Sequence, residues 1–179
     1  MTAMLRPMRI APLLACSLIA GCATPVRDAG TTTYIVVRHA EKVDASRDPD
    51  LSESGHTRAR ALATRLEDRD LVAIYATEFK RTGQTVAPTA TAHAIAVTPY
   101  PAAQPASEFA ANLKAAHPHG SVLIAGHSNT VPAIVAALCA CDIAPMPDHE
   151  YDRLSIVTID ADGRARLTVE HYGAASPAP

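Results

Sequence analysis

Tryptophan is absent from this chain, and aromatic residues make up only 4% of it. A core without large rings must be built from aliphatic side chains, and 48% of the 179 residues are hydrophobic, alanine prominent among them. That balance fits a compact, helix-containing globular domain and excludes a disordered chain. A basic excess is also lacking. The formal charge is −2, which argues against a nucleic-acid partner, and no block of like charges marks an acidic or basic tail. The length suits one domain with a sizeable core, not two. Finally, the apolar run near the start, Ile10 to Ala20, covers 11 residues. A permanent membrane-spanning helix needs about 20.

A short apolar run preceded by Arg6 and Arg9 and followed by small residues has the layout of a secretory signal peptide. Its ending, Ile19-Ala20-Gly21-Cys22, resembles the lipobox of bacterial lipoproteins. That resemblance implies cleavage after residue 21 and a lipid on Cys22, which becomes the first residue. Residues 22–30 then read as a lipidated tether, 31–173 as the folded domain and 174–179 as a flexible tail. By the habit of such lipoproteins, Ala23 after the cysteine points to the periplasmic face of the outer membrane. The alternative is ordinary secretion with cleavage nearby.

Of the four cysteines, Cys16 leaves with the signal and Cys22 goes to lipid, so Cys139 and Cys141 remain. Two residues apart near the end of an apolar helix, they do not face each other, and a zinc site needs more ligands. They are expected as two small buried residues, with a redox-active pair as the alternative in an exported protein.

From residue 31 the chain alternates between strand and helix patterns. Tyr34–Val37 reads as a strand. Ser52 is an expected N-cap for a helix with Ala59, Leu62, Ala63 and Leu66 at helical spacing, arginines 58, 60 and 65 falling mostly on its wet side. Leu71–Ala76 is a second strand. Thr77 is expected to cap the next helix, which Gly83 weakens and Pro88 should kink or end. Ile95–Thr98, a helix over 107–116, the strand Ser121–Ala125 and a helix over 130–140 with Pro132 in its first turn follow. Leu154–Asp160 and Ala165–His171 alternate like strands around the turn signal Asp162-Gly163. Strand-then-helix units predict an α/β fold of three layers, a mostly parallel sheet flanked by helices, with an antiparallel hairpin at its edge.

In such sheets ligands bind beyond the carboxyl ends of strands. Here the first strand ends in Arg38-His39, the fourth in Gly126-His127, and the second leads into a helix carrying Arg81. Two arginines converging on one point repel unless an anion lies between them, and guanidinium forks match phosphate or carboxylate. Helix N-termini after Thr77 and Asn129 would add N–H donors. His39 is then the expected nucleophile at phosphorus through Nε2, kept neutral by neighbouring positive charge. His127 would donate to the phosphate alongside the arginines, and the chemistry needs no metal.

The stretch Val37-Arg38-His39-Ala40-Glu41-Lys42 resembles the RHG-type signature of the histidine phosphatase superfamily, in its phosphoglycerate mutase-like branch. Thr77-x-x-x-Arg81-Thr82-x-Gln84-Thr85 is similar to that branch's second-arginine motif, and Gly126-His127-Ser128-Asn129 to its second-histidine motif. Order and spacing match over about residues 32–172. The resemblance implies a phosphoglycerate mutase-like fold and a phosphatase with no cofactor. It implies His39 as phospho-acceptor and Arg38, Arg81 and His127 as the phosphate pocket. Ala40 departs from the usual glycine. The acid that protonates the leaving group is not evident: a glutamate after the third strand in larger relatives points to Glu108, while Glu41 and Asp152 are other candidates. The remaining histidines are expected to be structural.

The expected substrate is a small phosphomonoester, such as a sugar phosphate or an envelope glycan phosphate. Mutase activity is disfavoured by the lack of room for substrate-enclosing insertions. The short phosphohistidine protein phosphatases are similar in length, but their cytosolic partners conflict with the signal peptide. Two other classes stay open: a metallohydrolase using His39, His127 and acids such as Glu41, and a non-catalytic envelope lipoprotein that binds a phosphorylated ligand. Residues 46–50, 99–105 and 142–152 are expected to rim the pocket.

Overall fold

A computed structural model describes residues 30–177. The expected signal peptide, Cys22 and all but the last residue of the tether lie outside the described residues. No helix among the described residues is long and apolar enough to cross a membrane.

Ten elements follow one another. They are β1 (Thr32–Arg38), α1 (Glu53–Arg65), β2 (Leu71–Thr77), α2 (Lys80–His93), β3 (Val97–Tyr100), α3 (Ala106–Ala116), β4 (Gly120–Gly126), α4 (Val131–Cys139), β5 (Arg153–Ile159) and β6 (Ala165–His171). The strands form one sheet in the order β3-β2-β4-β1-β5-β6. Its first four strands are mutually parallel, and β5 pairs antiparallel with both β1 and β6, so the expected hairpin closes one edge.

Alternation along the strands builds two cores. Tyr34, Val36, Val122 and Ile124 face α3 and α4, packing with Phe109, Leu113, Ile134 and Leu138. Ile35, Val37, Leu123 and Ala125 face the other way and meet Leu62 of α1, Leu66 at its C-cap and Val86 of α2. The near-continuous apolar runs of β1 and β4 are what a central strand covered on both faces requires.

Ser52 caps α1 as expected, its Oγ accepting from the Gly55 N–H at 3.1 Å. Gly55 is where the helix crosses the chain after β1: a Cβ there would lie 2.1 Å from the Glu41 carbonyl oxygen. One arginine of α1 departs from the wet face. Arg60 and Arg65 are exposed, but Arg58 is buried, because it sits in register with Gly55, Ala59 and Leu62 and finds a carboxylate inside, that of Glu41 at 2.7 Å.

Four further expectations are corrected. Thr77 does not cap α2: β2 continues through it, the helix starts at Lys80, and Asp48 Oδ1 accepts from the Lys80 N–H at 2.9 Å instead. Pro88 does not end α2, which runs on to His93; one missing N–H is outweighed by the buried face of Thr82, Thr85, Val86 and Thr89. Cys139 and Cys141 are bonded as a disulfide with Cα atoms 5.2 Å apart. The rule against i, i+2 contact holds only inside a continuing helix, and α4 stops at Cys139, where left-handed Ala140 turns the chain back. Lastly, residues 174–176, expected in the flexible tail, are tied down: Ala174 accepts from Arg58, and the Ser176 hydroxyl accepts from the Tyr151 and Asp152 N–H groups.

Candidate active site

The central strand pair fixes the site. β1 and β4 run in register from Thr32 opposite Gly120 to Arg38 opposite Gly126, and the His39 N–H continues the ladder to the Gly126 carbonyl at 2.9 Å. His39 and His127 therefore leave the sheet side by side, their rings edge to face with centroids 5.3 Å apart. On the other side of β4, Ala76 pairs with Ala125, which brings Thr77 to His127. Arg81, in the first turn of α2, reaches the same rim. Arg38, His39, Arg81 and His127 all line one cavity of about 310 Å³.

Each side chain is held from behind. The His39 Nδ1 lies 2.8 Å from the Ala40 carbonyl, which can only accept, so Nδ1 carries the proton and the Nε2 lone pair is free. Ala40 is fully buried and its N–H donates to Thr85 Oγ1 at 2.8 Å, while that hydroxyl donates to the Arg81 carbonyl. Thr85 thus ties the segment after the first histidine to the helix of the second arginine. Gln84 does the same for residues 50–51, accepting from the Leu51 N–H and donating to Asp50.

The Arg38 Nη1 donates to three carbonyls, those of Pro147, Asp148 and Glu150 at 3.2, 2.8 and 3.1 Å. Its guanidinium lies 4.1 Å from the centre of the Tyr151 ring. Arg81 stacks on Phe79 at 4.4 Å, donates to the Arg47 carbonyl and has Asp48 Oδ1 at 3.7 Å. In both arginines the Nε is buried and finds no hydrogen-bond partner. A buried N–H without a partner costs about 1–3 kcal/mol. Both guanidiniums line one polar cavity, which suits an acceptor.

The tautomer of His127 follows from its neighbours. Arg81 Nη2 can only donate and lies 3.3 Å from Nδ1, so Nδ1 accepts and Nε2 carries the proton. Nε2 donates to Thr77 Oγ1 at 3.0 Å, and Thr77 in turn contacts Thr82 Oγ1, which donates to the Phe79 carbonyl. Both imidazoles are neutral. Burial pushes His39 down from 6.5 to about 3, with Arg38, His127 and Arg81 adding to it against the Ala40 hydrogen bond. Burial and then Arg81 bring His127 to about 4.

The other acids expected as proton donors are not at the cavity. Glu108 is exposed in the first turn of α3 and accepts from Gln104 at 3.1 Å. Glu41 is turned away and bound by Arg58 through Nε and Nη2. Asp152 is taken by Ser176 and faces His171 at 3.2 Å. The carboxylate that does line the cavity is Asp148, which accepts from Ser128 at 3.0 Å. It lies in the 142–152 loop foreseen as rim, but a lone acid in a loop carries no spacing signal. The same holds for Tyr151 and the three carbonyls on Arg38. With Glu41 engaged and two guanidiniums beside the histidines, the donor set suits an anion, not a metal cation. Among the described residues no group of three or more His, Cys, Asp or Glu side chains could hold a metal.

Residues 30–104 match the family model of the histidine phosphatase superfamily, branch 1. That stretch includes Arg38, His39 and Arg81, while His127 is brought to them by the fold. No curated protein sequence matches the chain. Among solved structures, the mycobacterial glucosyl-3-phosphoglycerate phosphatase is 17% identical, with a TM-score of 0.64 over 80% of this chain and 100% of that one. The protein histidine phosphatase SixA complexed with tungstate is 21% identical, with a TM-score of 0.64 over 78% and 96%. YhfR of Bacillus stearothermophilus is 18% identical, with a TM-score of 0.65 over 80% and 98%. At these identities the likeness is one of fold. Sequence model and fold agree: residues 30–104 are similar to the histidine phosphatase superfamily, and the described chain has the fold of these solved phosphatases.

Proposed function

We propose that this phosphatase hydrolyses a phosphomonoester through a phosphohistidine formed on His39. The observation that carries the reading is the convergence of Arg38, Arg81 and His127 on one cavity with His39, whose Nδ1–H is held by the Ala40 carbonyl and whose Nε2 lone pair is left free. Non-bridging phosphate oxygens accept from the two guanidiniums. The Nε2 lone pair attacks phosphorus, the P–N bond forms, the ester P–O bond breaks, and the leaving oxygen takes a proton from solvent water, which the later attack of water on the phosphohistidine returns. Water then attacks the same phosphorus from the opposite side, the P–N bond breaks, and phosphate and neutral His39 are regenerated.

Nδ1–H of His39 stays on the Ala40 carbonyl throughout, which keeps the ring oriented and offsets the positive charge that develops on it. His127 has a different task. As an acceptor from Arg81 it offers the substrate no donor, so it must gain a proton at Nδ1 to bind phosphate. A dianion between the arginines supplies the negative potential that draws that proton in. Charged donors of this kind act mainly on the transition state, and losing one costs about a hundredfold or more.

The test is turnover of 4-nitrophenyl phosphate by the full chain, wild type against His39→Ala, with and without a chelator. Chelator-insensitive activity that vanishes in the variant is expected, with a phosphohistidine recovered after quenching in alkali. Full activity in His39→Ala would sink the covalent route. The proposal includes the expected lipid on Cys22, which places the domain at a membrane on the outer side of the cytoplasm. It rests on the Ile-Ala-Gly-Cys ending; Cys22→Ala should shift the protein from the membrane to the soluble fraction, and unchanged membrane retention would argue against it.

A further inference from the structure

The cavity at the two histidines continues sideways. A second cavity of about 520 Å³ opens beside it, and Ser128, Asn129 and Asp148 line both. Beyond that seam the walls turn apolar. Pro132 of α4 stands on one side, and Ile143, Pro145 and Met146 on the other. Met146 is only 7% exposed and belongs to the core between the sheet and α3/α4, with Ile143 packed against it, so the floor of the groove is anchored in the core.

What lines the groove restricts what can lie in it. Two of its four apolar residues are prolines, whose backbone has no N–H to donate. A sugar ring beyond the seam would find no side-chain donor or acceptor on these four walls, so its hydroxyls would gain nothing over their hydration. No lysine, arginine or aromatic ring lines it. A second phosphate or carboxylate on the substrate would find no cation there and would meet Asp148, and a nucleobase would find no ring to stack on. An ester whose phosphate sits between Arg38 and Arg81 must send its alcohol out through an adjoining opening, and this side offers it an aliphatic wall.

We infer that the groove holds the leaving alcohol, and that the substrate is a monophosphate of an uncharged, apolar aliphatic alcohol. The inference rests on the phosphatase reading for the position of the phosphate. It departs from a sugar phosphate, the substrate that the exported location alone suggests.

Alkylphosphonates from methyl to hexyl, which carry an unbreakable P–C bond, measure the groove without turnover. Calorimetry with the full chain should show affinity rising about twofold per added methylene, half the factor of about four that complete burial of a CH₂ gives. In Ile143→Gln the hexyl-to-methyl affinity ratio should fall severalfold. The ratio is taken within one protein, so a general loss of fold or phosphate affinity cancels. Alkyl phosphates should show the same climb in kcat/KM, with hexyl phosphate well ahead of glucose 6-phosphate. A flat phosphonate ladder in the wild type, or preference for glucose 6-phosphate, overturns the inference while turnover of 4-nitrophenyl phosphate keeps the phosphatase reading. A steep ladder with no turnover of any ester does the reverse. A flat ladder together with a dimer that Ile143→Gln dissociates would show that a second copy fills the groove, and would also overturn it.

Discussion

Arg38 and Arg58 are buried to the same degree, each 4% exposed, but the fold treats them differently. Every nitrogen of the Arg58 guanidinium has a partner: Nε and Nη2 lie on Glu41, and Nη1 on the carbonyls of Tyr172 and Ala174. Burial alone would lower its pKa, but the hydrogen bond and charge of Glu41 outweigh it and raise the net value. Arg38 has no such counter-ion. Its nearest carboxylate, Asp148, is 3.9 Å away and almost wholly exposed, and burial leaves its pKa lowered. Desolvating a guanidinium without a paired anion is costly, and such a cost persists where an anion is expected to arrive. One buried arginine is therefore paired by the fold itself, and the other is the one that the proposed chemistry uses.

Paired substitutions test that division. Arg58→Ala should lose about 3–5 kcal/mol of unfolding free energy, since it strands Glu41 in a half-closed pocket. Arg38→Ala strands three loop carbonyls but no carboxylate, so it should cost less stability than Arg58→Ala, while kcat/KM for 4-nitrophenyl phosphate falls about a hundredfold or more. The contrast breaks if Arg38→Ala unfolds as readily as Arg58→Ala yet still turns over substrate.

Why Arg38 was legible in the sequence and Arg58 was not has a physical basis. The central strands β1 and β4 are buried on both faces, so they appear as apolar runs, and a charged pair at the end of such a run stands out. Arg38-His39 and His127 could be placed on one rim because parallel strands all end at the same edge. Arg58 sits in a helix at a position that polar and apolar residues both occupy, and only the partner across the chain, Glu41, decides its burial. The same limit hid Thr77, whose role depends on strand pairing with β4, and the carbonyls of Pro147, Asp148 and Glu150, which have no side-chain signature. It also hid the Cys139–Cys141 bond, because the left-handed turn at Ala140 is adopted by a residue with no preference for it.

The two histidines carry the contrast into pH dependence. Their folded pKa values, about 3 for His39 and about 4 for His127, lie below the ordinary 6.5. Between those limits the unfolded chain binds more protons than the folded one. Their contribution is therefore complete above about pH 6.5 and is lost as pH falls towards 4 and then 3. Denaturation midpoints taken from pH 7 to 4 should fall with pH, and less steeply in His127→Asn. Saturating phosphate should flatten the wild-type slope as well, because the bound anion favours the protonated His127. An unchanged slope in His127→Asn would mean that the ring already carries its proton in the free protein, and the assignment of Nδ1 as acceptor from Arg81 would be wrong.

The smallest effect is expected at Glu108, and it separates a position inferred by analogy from one inferred by geometry. Glu108 lies at the start of α3, where an acid is favoured by the helix dipole alone. Its hydrogen bond to Gln104 is exposed, and its side chain does not line the cavity. Glu108→Gln should change stability by no more than about 0.5 kcal/mol, as surface substitutions do. A true leaving-group acid would show itself through the alcohol: esters of weakly acidic alcohols need the proton, whereas 4-nitrophenolate leaves without it. The decisive quantity is the ratio of kcat/KM for hexyl phosphate to that for 4-nitrophenyl phosphate. It should be the same in Glu108→Gln and in wild type. A selective fall with hexyl phosphate would restore Glu108 to the reaction, and would require α3 to approach the cavity when substrate binds.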